Sequence, residues 1–200
     1  VYKRQIIRSD GDRLQVGPRS AGASPGPACY RCGGPLTITD AHLFLGRLQV
    51  EAFPPLFGPT ADFRPDLEVV RQRFGELECR LGRDPESLAE GALDLAVETM
   101  AGAIQQVSLL RGHDIRAGAL VAYGGAAGQL ACRVAGVLGL RQVLIHPLAG
   151  VLSAFGLGQA RLREWRQVVV RRALEADLLA SLPGRIRHEL GFAEEALQAA

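Results

Sequence analysis

Several features are scarce or missing in this sequence of 200 residues, and each absence excludes a class of protein. The net charge is only +2 and is spread along the chain, and Lys3 is the only lysine, so the basic face of a nucleic-acid-binding protein is missing. No apolar run reaches the roughly 18 residues that cross a bilayer, and no signal-peptide pattern opens the chain. We therefore expect neither a nucleic-acid partner nor a membrane segment.

Cysteine and histidine are too few and too scattered to predict a metal site. Cys29 and Cys32 form a Cys-x-x-Cys pair, but zinc needs four ligands, and the other two cysteines are single and distant. The pair lies in a glycine- and proline-rich loop rather than at a helix start, so a structural role is favoured over a redox role. Free thiols indicate a reducing, cytoplasmic setting. The four histidines share no ligand spacing, and each is interpreted as a cap, surface or loop residue: His42, His113, His146 and His188.

The chain does not start with methionine, and its first five residues lead directly into a strand-like segment. We therefore expect a fragment of a longer protein. What the sequence does contain is the composition of a globular core, with 48% hydrophobic and 22% charged residues. Its length suits one ordinary domain, or one domain with a helical appendage.

The most informative stretch lies at residues 119–138. Residues 119–123 are a short, nearly all-apolar run, which predicts a strand buried on both faces. The turn Gly-Gly-Ala-Ala-Gly follows at residues 124–128, and apolar residues at helical spacing then predict a helix. Because glycine lets a ligand approach the backbone and a helix start presents unpaired N–H groups, this turn is a candidate site for a phosphate-bearing or nucleotide ligand. It matches neither common phosphate fingerprint, so a purely structural turn is the alternative.

Other predicted elements surround this centre and give an α/β fold class. Residues 142–145 predict a second buried strand, which completes a βαβ unit with a parallel strand pair. The loop at residues 17–34 is interpreted as ordered rather than as a flexible linker. The remaining predictions are a hairpin at residues 6–16, a short helix starting at Thr39 or Asp40 and ending at Gly46, helices at residues 67–81 and 86–110, a strand at residues 168–170, and two amphipathic helices at residues 174–182 and 185–199.

Polar side chains at two helix ends are candidates for a site. Asp40, beside the glycine- and proline-rich loop, is a candidate carboxylate, with a plain helix cap as the alternative. His113 and Asp114 end the long helix just before the central strand, so they can approach the same pocket. These residues predict a nucleotide or phosphate-ligand site and no particular reaction.

Ordered blocks of this sequence resemble the hydantoinase A and 5-oxoprolinase family. Residues 53–59 (Phe-Pro-Pro-Leu-Phe-Gly-Pro), the Arg-Gly-His-Asp block and Gln129 resemble the 5-oxoprolinase branch more than the hydantoinase or acetone carboxylase branches. The blocks that carry the resemblance run in the family's order: residues 16–30, residues 33–48, Arg-Gly-His-Asp at 111–114, Tyr-Gly-Gly-Ala-Ala-Gly-Gln at 123–129, and residues 146–158.

The resemblance implies a fold, a reaction and partners. The fold is an actin-like (ribonuclease H-like) ATPase domain, with residues 1–160 forming part of it and residues 161–200 a strand and helical continuation. The reaction is ATP-dependent ring opening of 5-oxo-L-proline to L-glutamate, with phosphorylation of the amide oxygen by ATP and with magnesium as a second cofactor. The partners are the cyclic amide substrate and a B-type subunit or domain, in an oligomer. The implied nucleotide-binding residues are Gly124, Gly125, Ala126, Gly128 and Gln129, and the expected catalytic residues are Asp40 and His113.

Three positions differ from the family's usual pattern. Ala127 stands where the family has glycine, Leu130 where it has histidine, and His42 where it commonly has asparagine. The family's N-terminal phosphate-binding segment is also missing from these 200 residues, so we expect no activity from this chain alone. The alternatives are hydantoin hydrolysis, ATP-dependent ketone carboxylation and a non-catalytic nucleotide-binding subunit.

Overall fold

The chain divides into two units, each defined by contacts among its own residues, one at residues 1–152 and the other at residues 153–200. The structure is a computed structural model that describes residues 2–173 and 175–199. Its architecture is mixed α/β with two small sheets, one antiparallel and one parallel. The α/β fold class is therefore confirmed.

The antiparallel sheet is the predicted hairpin. Strand β1 (Gln5–Asp10) pairs with strand β2 (Arg13–Ser20), and Asp10 faces Arg13 across a two-residue loop. Gly11 in that loop has a φ of +57°, a conformation that glycine adopts without strain. Strand β2 continues beyond its predicted end through Gly17 to Ser20, because an edge strand tolerates the register irregularity that accompanies this glycine.

The glycine- and proline-rich loop is ordered, as predicted. Ala28 and Cys29 are buried within it, and the loop ends at helix α1 (Ile38–Phe44). The residue that precedes this helix is Thr37, so the prediction of a cap at Thr39 or Asp40 is wrong by two or three residues. The physical reason is that Asp40 is the third helical residue and accepts hydrogen bonds from the backbone N–H and the hydroxyl of Thr37. These bonds form a capping box in which Thr37 is the cap.

Two helices form the core against which α1 packs. Helix α2 (Leu67–Leu81) has the predicted bounds, and helix α3 (Pro85–Leu110) starts one residue earlier than predicted. Each helix begins after an aspartate whose carboxylate accepts hydrogen bonds from two backbone N–H groups of the first turn: Asp66 for α2 and Asp84 for α3. Their fully buried side chains include Val70, Phe74, Leu88, Ala92 and Leu93.

The parallel sheet is the predicted βαβ unit. Strand β3 (Leu120–Ala122) leads through the glycine turn to helix α4 (Gly128–Val137) and then to strand β4 (Val143–Ile145). Helix α4 packs on α3 through Leu130 and Val134, which are buried. The predictions that the first strand is buried on both faces and that the second is buried are wrong: Val121, Leu144 and Ile145 are each more than half exposed, because in the described residues the sheet has two strands and α4 covers one face.

The C-terminal unit differs from its prediction in two places. No strand forms at residues 168–170, where the three valines find no partner strand in the described part of the chain. One helix, α6 (Ala176–Gln198), replaces the two predicted helices and runs through Pro183. The proline removes one backbone donor, but the turns on either side are long enough for the helix to continue, and the Ser181 hydroxyl donates to the Leu178 carbonyl nearby. Leu174, where the first of those helices was predicted to begin, lies outside the described residues.

Helix α5 (Leu152–Gln159) precedes this segment. None of the helices in the described ranges combines the length and the apolarity that a membrane crossing requires. All four cysteines are free thiols, with Cys29 buried and the other three exposed.

Candidate functional site

The glycine turn between β3 and α4 is held by backbone hydrogen bonds. The N–H of Gly124 donates to the Ala149 carbonyl at 2.7 Å, and the N–H of Ala127 donates to the Gly124 carbonyl at 3.2 Å. Gly124 has a φ of +91°, which side-chain-bearing residues rarely adopt. Ala127 lies at φ −65° and ψ −36°, an ordinary helical conformation, so the backbone accepts its methyl group without strain.

A cavity of about 350 Å³ lies beside this turn. Most of its walls are backbone or uncharged side chains, and Lys3 provides the one charged side chain among the residues that line it. Five of the residues that line this cavity, including Met100, Tyr123 and Leu130, also line a larger apolar groove of about 500 Å³. The residues that line the smaller cavity are Tyr2, Lys3, Ile38, His42, Met100, Tyr123, Gly124, Gly125, Ala126, Ala127, Gln129 and Leu130.

Space is available at the turn itself. A Cβ atom built on Gly125 meets no heavy atom within 4 Å, whereas one built on Gly128 lies 3.8 Å from the Ile145 side chain. A ligand can therefore approach the Gly125 backbone closely. The ten-residue helix α4 begins at this point, and its N-terminus and the Lys3 ammonium both favour a ligand that carries negative charge.

His42 lies on helix α1 and is only 1% exposed. Neither of its ring nitrogens has a hydrogen-bond partner among the described residues. Ile38 lies one helical turn before it and lines the same cavity. The interpretation of His42 as a cap, surface or loop histidine is therefore wrong: α1 is part of the core, and position 42 lies on a buried face of it.

Two arginines that form ion pairs nearby affect the protonation of His42. Arg133 of α4 pairs with Glu90 and Asp94 of α3, and Arg47 pairs with Glu90. Burial lowers the pKa of His42 to about 4, and the positive charges of Arg47 and Arg133 add to that decrease. The imidazole is neutral at physiological pH as a result.

Asp40, two residues before His42, is fully buried and has partners for both oxygens. Its Oδ1 accepts from the N–H of Cys29 at 2.8 Å, and its Oδ2 accepts from the N–H of Ala28 at 3.1 Å and from the N–H and hydroxyl of Thr37 at 2.7 and 2.8 Å. Burial raises the pKa of Asp40, while the hydrogen bonds from Cys29 and Thr37 oppose that increase. Burial likewise raises the pKa of the Cys29 thiol, with the Asp40 charge contributing, so this thiol is unreactive.

His113 is exposed and lines a different cavity, of about 580 Å³, together with Asp114 and Arg116. Hydrogen bonds from Arg116 hold the pKa of Asp114 at about 2. The predicted site residues thus fall into three places. Gly124, Gly125, Ala126 and Gln129 line the turn cavity, Asp40 holds the neighbouring loop, and His113 lines a separate cavity; Gly128 starts α4 without lining the turn cavity. The catalytic roles of Asp40 and His113 stay predictions.

Two residues of the site escaped the sequence analysis. Lys3 was considered only as the single lysine of the chain, and His42 only as a histidine without metal-ligand spacing that replaces the family's common asparagine. The signal that could have identified His42 was its four-residue separation from Ile38, which places both side chains on one face of a helix.

The chain is similar to one family model and to several known proteins. The hydantoinase/oxoprolinase family model matches residues 4–166. The chain is 44% identical over 200 residues to 5-oxoprolinase PfmaA of Pestalotiopsis fici, covering 97% of this chain and 15% of that protein. It is 46% identical over 160 residues to the 5-oxoprolinase of Saccharomyces cerevisiae, covering 77% of this chain and 12% of the relative.

A third relative and a solved structure are both caprolactamases from one organism. The chain is 38% identical to caprolactamase subunit alpha of Pseudomonas jessenii, covering 95% of this chain and 25% of that subunit. The crystal structure of the ATP-dependent caprolactamase from the same organism matches with a TM-score of 0.69 at 33% identity, over 96% of this chain and 28% of the other. The chain thus spans a quarter or less of the length of the curated relatives named here. Because the family model covers most of the sequence, the predicted family is confirmed, and the chain belongs to the hydantoinase/oxoprolinase family.

Proposed function

We propose that the intact protein carrying this chain catalyses the ATP-dependent hydrolysis of 5-oxo-L-proline to L-glutamate. The observation that carries the proposal is the 44–46% identity to two relatives named 5-oxoprolinase. The caprolactamase relative and the solved structure of an ATP-dependent caprolactamase support the broader reaction class, because caprolactam is another cyclic amide. The chain spans only part of these relatives, so the reaction is proposed for the intact protein.

The nucleotide site in this proposal is the cavity at the glycine turn. The described residues fit a nucleotide in three ways: the Gly125 backbone is approachable, helix α4 starts at the turn, and an unpaired buried imidazole lines the cavity. In this site Gly124, Gly125, Ala126 and Gln129 line the cavity and contribute mainly backbone contacts, since three of the four have either no side chain or a single methyl group. Gly128 is proposed to act from the first position of α4, beside the cavity. ATP, when bound, supplies the phosphoryl group that activates an amide toward hydrolysis.

The chain's own residues orient the ligand and exclude water. Met100 and Leu130 form an apolar wall that continues into the adjacent groove, which keeps water from the ligand's uncharged part. The described residues contain no group of three histidine, cysteine, aspartate or glutamate side chains arranged to hold a metal ion. Magnesium in this proposal therefore enters with the nucleotide phosphates, which is its usual mode of binding.

The proposal extends to architecture and assembly. We assign the chain to an actin-like ATPase domain at residues 1–160, with residues 161–200 as its continuation. A B-type subunit or domain is the proposed partner. The caprolactamase relative supports this, because it is the alpha subunit of its enzyme. His113, with its exposed imidazole, is proposed for proton transfer. Asp40 is proposed as a positioning residue, since both of its oxygens already hold the loop before α1.

The test is a set of parallel ATP hydrolysis assays on the intact protein, with its B-type partner where the two are separate. The substrates are 5-oxo-L-proline, caprolactam, hydantoin, and acetone with bicarbonate. We expect stimulation of ATP hydrolysis by 5-oxo-L-proline and formation of glutamate. If none of these compounds stimulates ATP hydrolysis, the proposed function is wrong.

Caprolactam is the second candidate substrate. The observation that favours it is the match to the caprolactamase structure over 96% of this chain. Stimulation by caprolactam in the absence of any response to 5-oxo-L-proline would select this candidate and reject the first.

A further inference from the structure

His42 is unlike the other buried polar groups without partners. Within the described residues, Arg4 and Gln5 each have one buried nitrogen or oxygen without a hydrogen bond, whereas His42 has both of its ring nitrogens in this condition. A buried donor or acceptor without a hydrogen-bond partner destabilises a fold, so leaving two on one side chain is unfavourable for the isolated fold. An uncompensated cost of this kind is expected where a ligand supplies the missing partners.

The charges near His42 do not call for an anionic ligand. Arg47 and Arg133 already pair with Glu90 and Asp94, so these two guanidinium groups have acidic partners. The imidazole itself is uncharged and therefore has one N–H donor and one nitrogen acceptor. Such a group matches an uncharged ligand surface that offers both an acceptor and a donor, for example a nucleobase edge or a ribose hydroxyl.

The walls of the cavity favour the same kind of ligand. Ile38, Met100 and Leu130 are apolar, and Lys3 is the single charged side chain among the lining residues. A triphosphate group carries several negative charges and needs several cations or N–H donors. Lys3 and the start of α4 favour some negative charge on the ligand, but one cation does not balance a whole triphosphate, so a cavity of about 350 Å³ is better suited to the nucleoside part of a nucleotide.

We infer that His42 is a specificity-determining residue that hydrogen-bonds the uncharged nucleoside part of the nucleotide bound at the glycine turn. The inference rests on the proposed function, because it takes a nucleotide to be the ligand of this cavity. It assigns to α1 a direct role in binding, in addition to the backbone contacts made by the turn. Three α1 residues then divide the work: Asp40 holds the loop, and Ile38 and His42 face the ligand.

Two substitutions separate a binding role from a structural one. His42→Leu keeps a similar volume and removes both polar atoms, so we expect the melting temperature to rise while the Kd for ATP increases about 10-fold. His42→Asn retains a donor and an acceptor, so the Kd should stay within about 3-fold of the original value. His188→Leu, which replaces a histidine with a 70% exposed side chain in the C-terminal unit, is the matched control and should change neither quantity.

The experiment is isothermal titration calorimetry of the intact protein and these variants with two probes, ATP and inorganic tripolyphosphate. We expect His42→Leu to weaken the binding of ATP and to leave the affinity for tripolyphosphate unchanged. In ¹⁵N spectra, ATP should shift the His42 ring signals and tripolyphosphate should not. Equal losses for both probes would overturn the assignment to the nucleoside. Unchanged ATP affinity in His42→Leu would overturn the inference and leave the proposed function standing. Failure of the unmodified protein to bind ATP would overturn both.

Discussion

Asp40 and His42 are two buried polar residues on the same short helix, and they have opposite surroundings. Asp40 accepts four hydrogen bonds from three residues, while both ring nitrogens of His42 lack a partner in the described part of the chain. Both side chains are almost fully removed from solvent. Burial alone therefore does not distinguish a structural polar residue from one that awaits a ligand.

The difference lies in which neighbours each residue meets. Asp40 faces the loop at residues 17–34, whose backbone N–H groups need acceptors once the loop is folded against α1. His42 lines one cavity with Met100, Leu130 and the glycine turn, and none of the described residues bonds its ring nitrogens. The hydrogen bonds of Asp40 stabilise the loop, whereas the ring nitrogens of His42 stay unpaired until a ligand supplies partners.

The largest expected effect comes from removing the Asp40 carboxylate. In Asp40→Ala, the N–H groups of Ala28, Cys29 and Thr37 lose their acceptor inside the core, so we expect a loss of about 5 kcal/mol in the free energy of unfolding. Urea denaturation followed by circular dichroism measures it. Asp62→Ala, at an exposed position, should change stability by less than about 0.5 kcal/mol. A loss below about 1 kcal/mol in Asp40→Ala would remove the contrast with His42.

The pH dependence of stability sharpens the same contrast. The pKa of His42 is about 4 in the folded protein, against the ordinary histidine pKa of 6.5 in the unfolded chain, so between these values the unfolded chain binds more protons. Stability should therefore fall as the pH decreases from 6.5 to 4, by at most about 3 kcal/mol from this residue.

The control for this effect is His42→Leu, which cannot titrate at this position. Asp40 titrates in both proteins, so its contribution cancels when the two curves are subtracted. Denaturation measured at several pH values should show a smaller decrease for His42→Leu than for the unmodified chain. Parallel curves for the two proteins would contradict the lowered pKa of His42.

A smaller effect is expected at Gly124. Its φ of +91° disfavours any side chain, so Gly124→Ala should lower the free energy of unfolding by about 1–2 kcal/mol. Gly128→Ala is the matched control, because its added methyl group would meet Ile145 at an ordinary contact distance of 3.8 Å. Thermal unfolding of both variants checks the difference. Equal stability of the two variants would mean that the turn does not require glycine at position 124.

The smallest expected effect on stability is at His113. Its side chain is exposed and lies at the end of α3, so His113→Ala should change stability by less than about 0.5 kcal/mol. ATP hydrolysis stimulated by substrate in the intact protein should nevertheless decrease about 100-fold if His113 transfers a proton, as proposed. Full activity in His113→Ala would reject that role.

Elements with strong local signals were predictable from the sequence. Helices α2 and α3 have apolar side chains at helical spacing and an aspartate cap, and their bounds agree with the prediction within one residue. The βαβ order was likewise encoded locally, in two apolar runs joined by a glycine turn and a helix.

Features that depend on distant packing were not predictable. The exposure of Val121 and Leu144 depends on what covers the second face of the sheet, which no local run of residues specifies. Helix α6 continues through Pro183 although the proline removes a backbone donor, so the proline at this position does not mark the helix boundary that the local sequence predicts. The role of His42 depends on α3 packing against both α1 and α4, so a search for metal-ligand spacing could not find it.

The central claim is that the cavity at the glycine turn binds the nucleotide. The most direct test is the Kd for ATP of the intact protein carrying Gly125→Leu, since Gly125 lines the cavity and a Cβ atom built there meets no heavy atom within 4 Å, so the backbone accepts a side chain that competes with the ligand for space. Gly136→Leu, at an equally open and exposed position of α4 away from the cavity, is the control. The account predicts at least about a 10-fold weaker affinity for Gly125→Leu, or about 1.4 kcal/mol, and no change for Gly136→Leu. Undiminished ATP affinity in Gly125→Leu would contradict it.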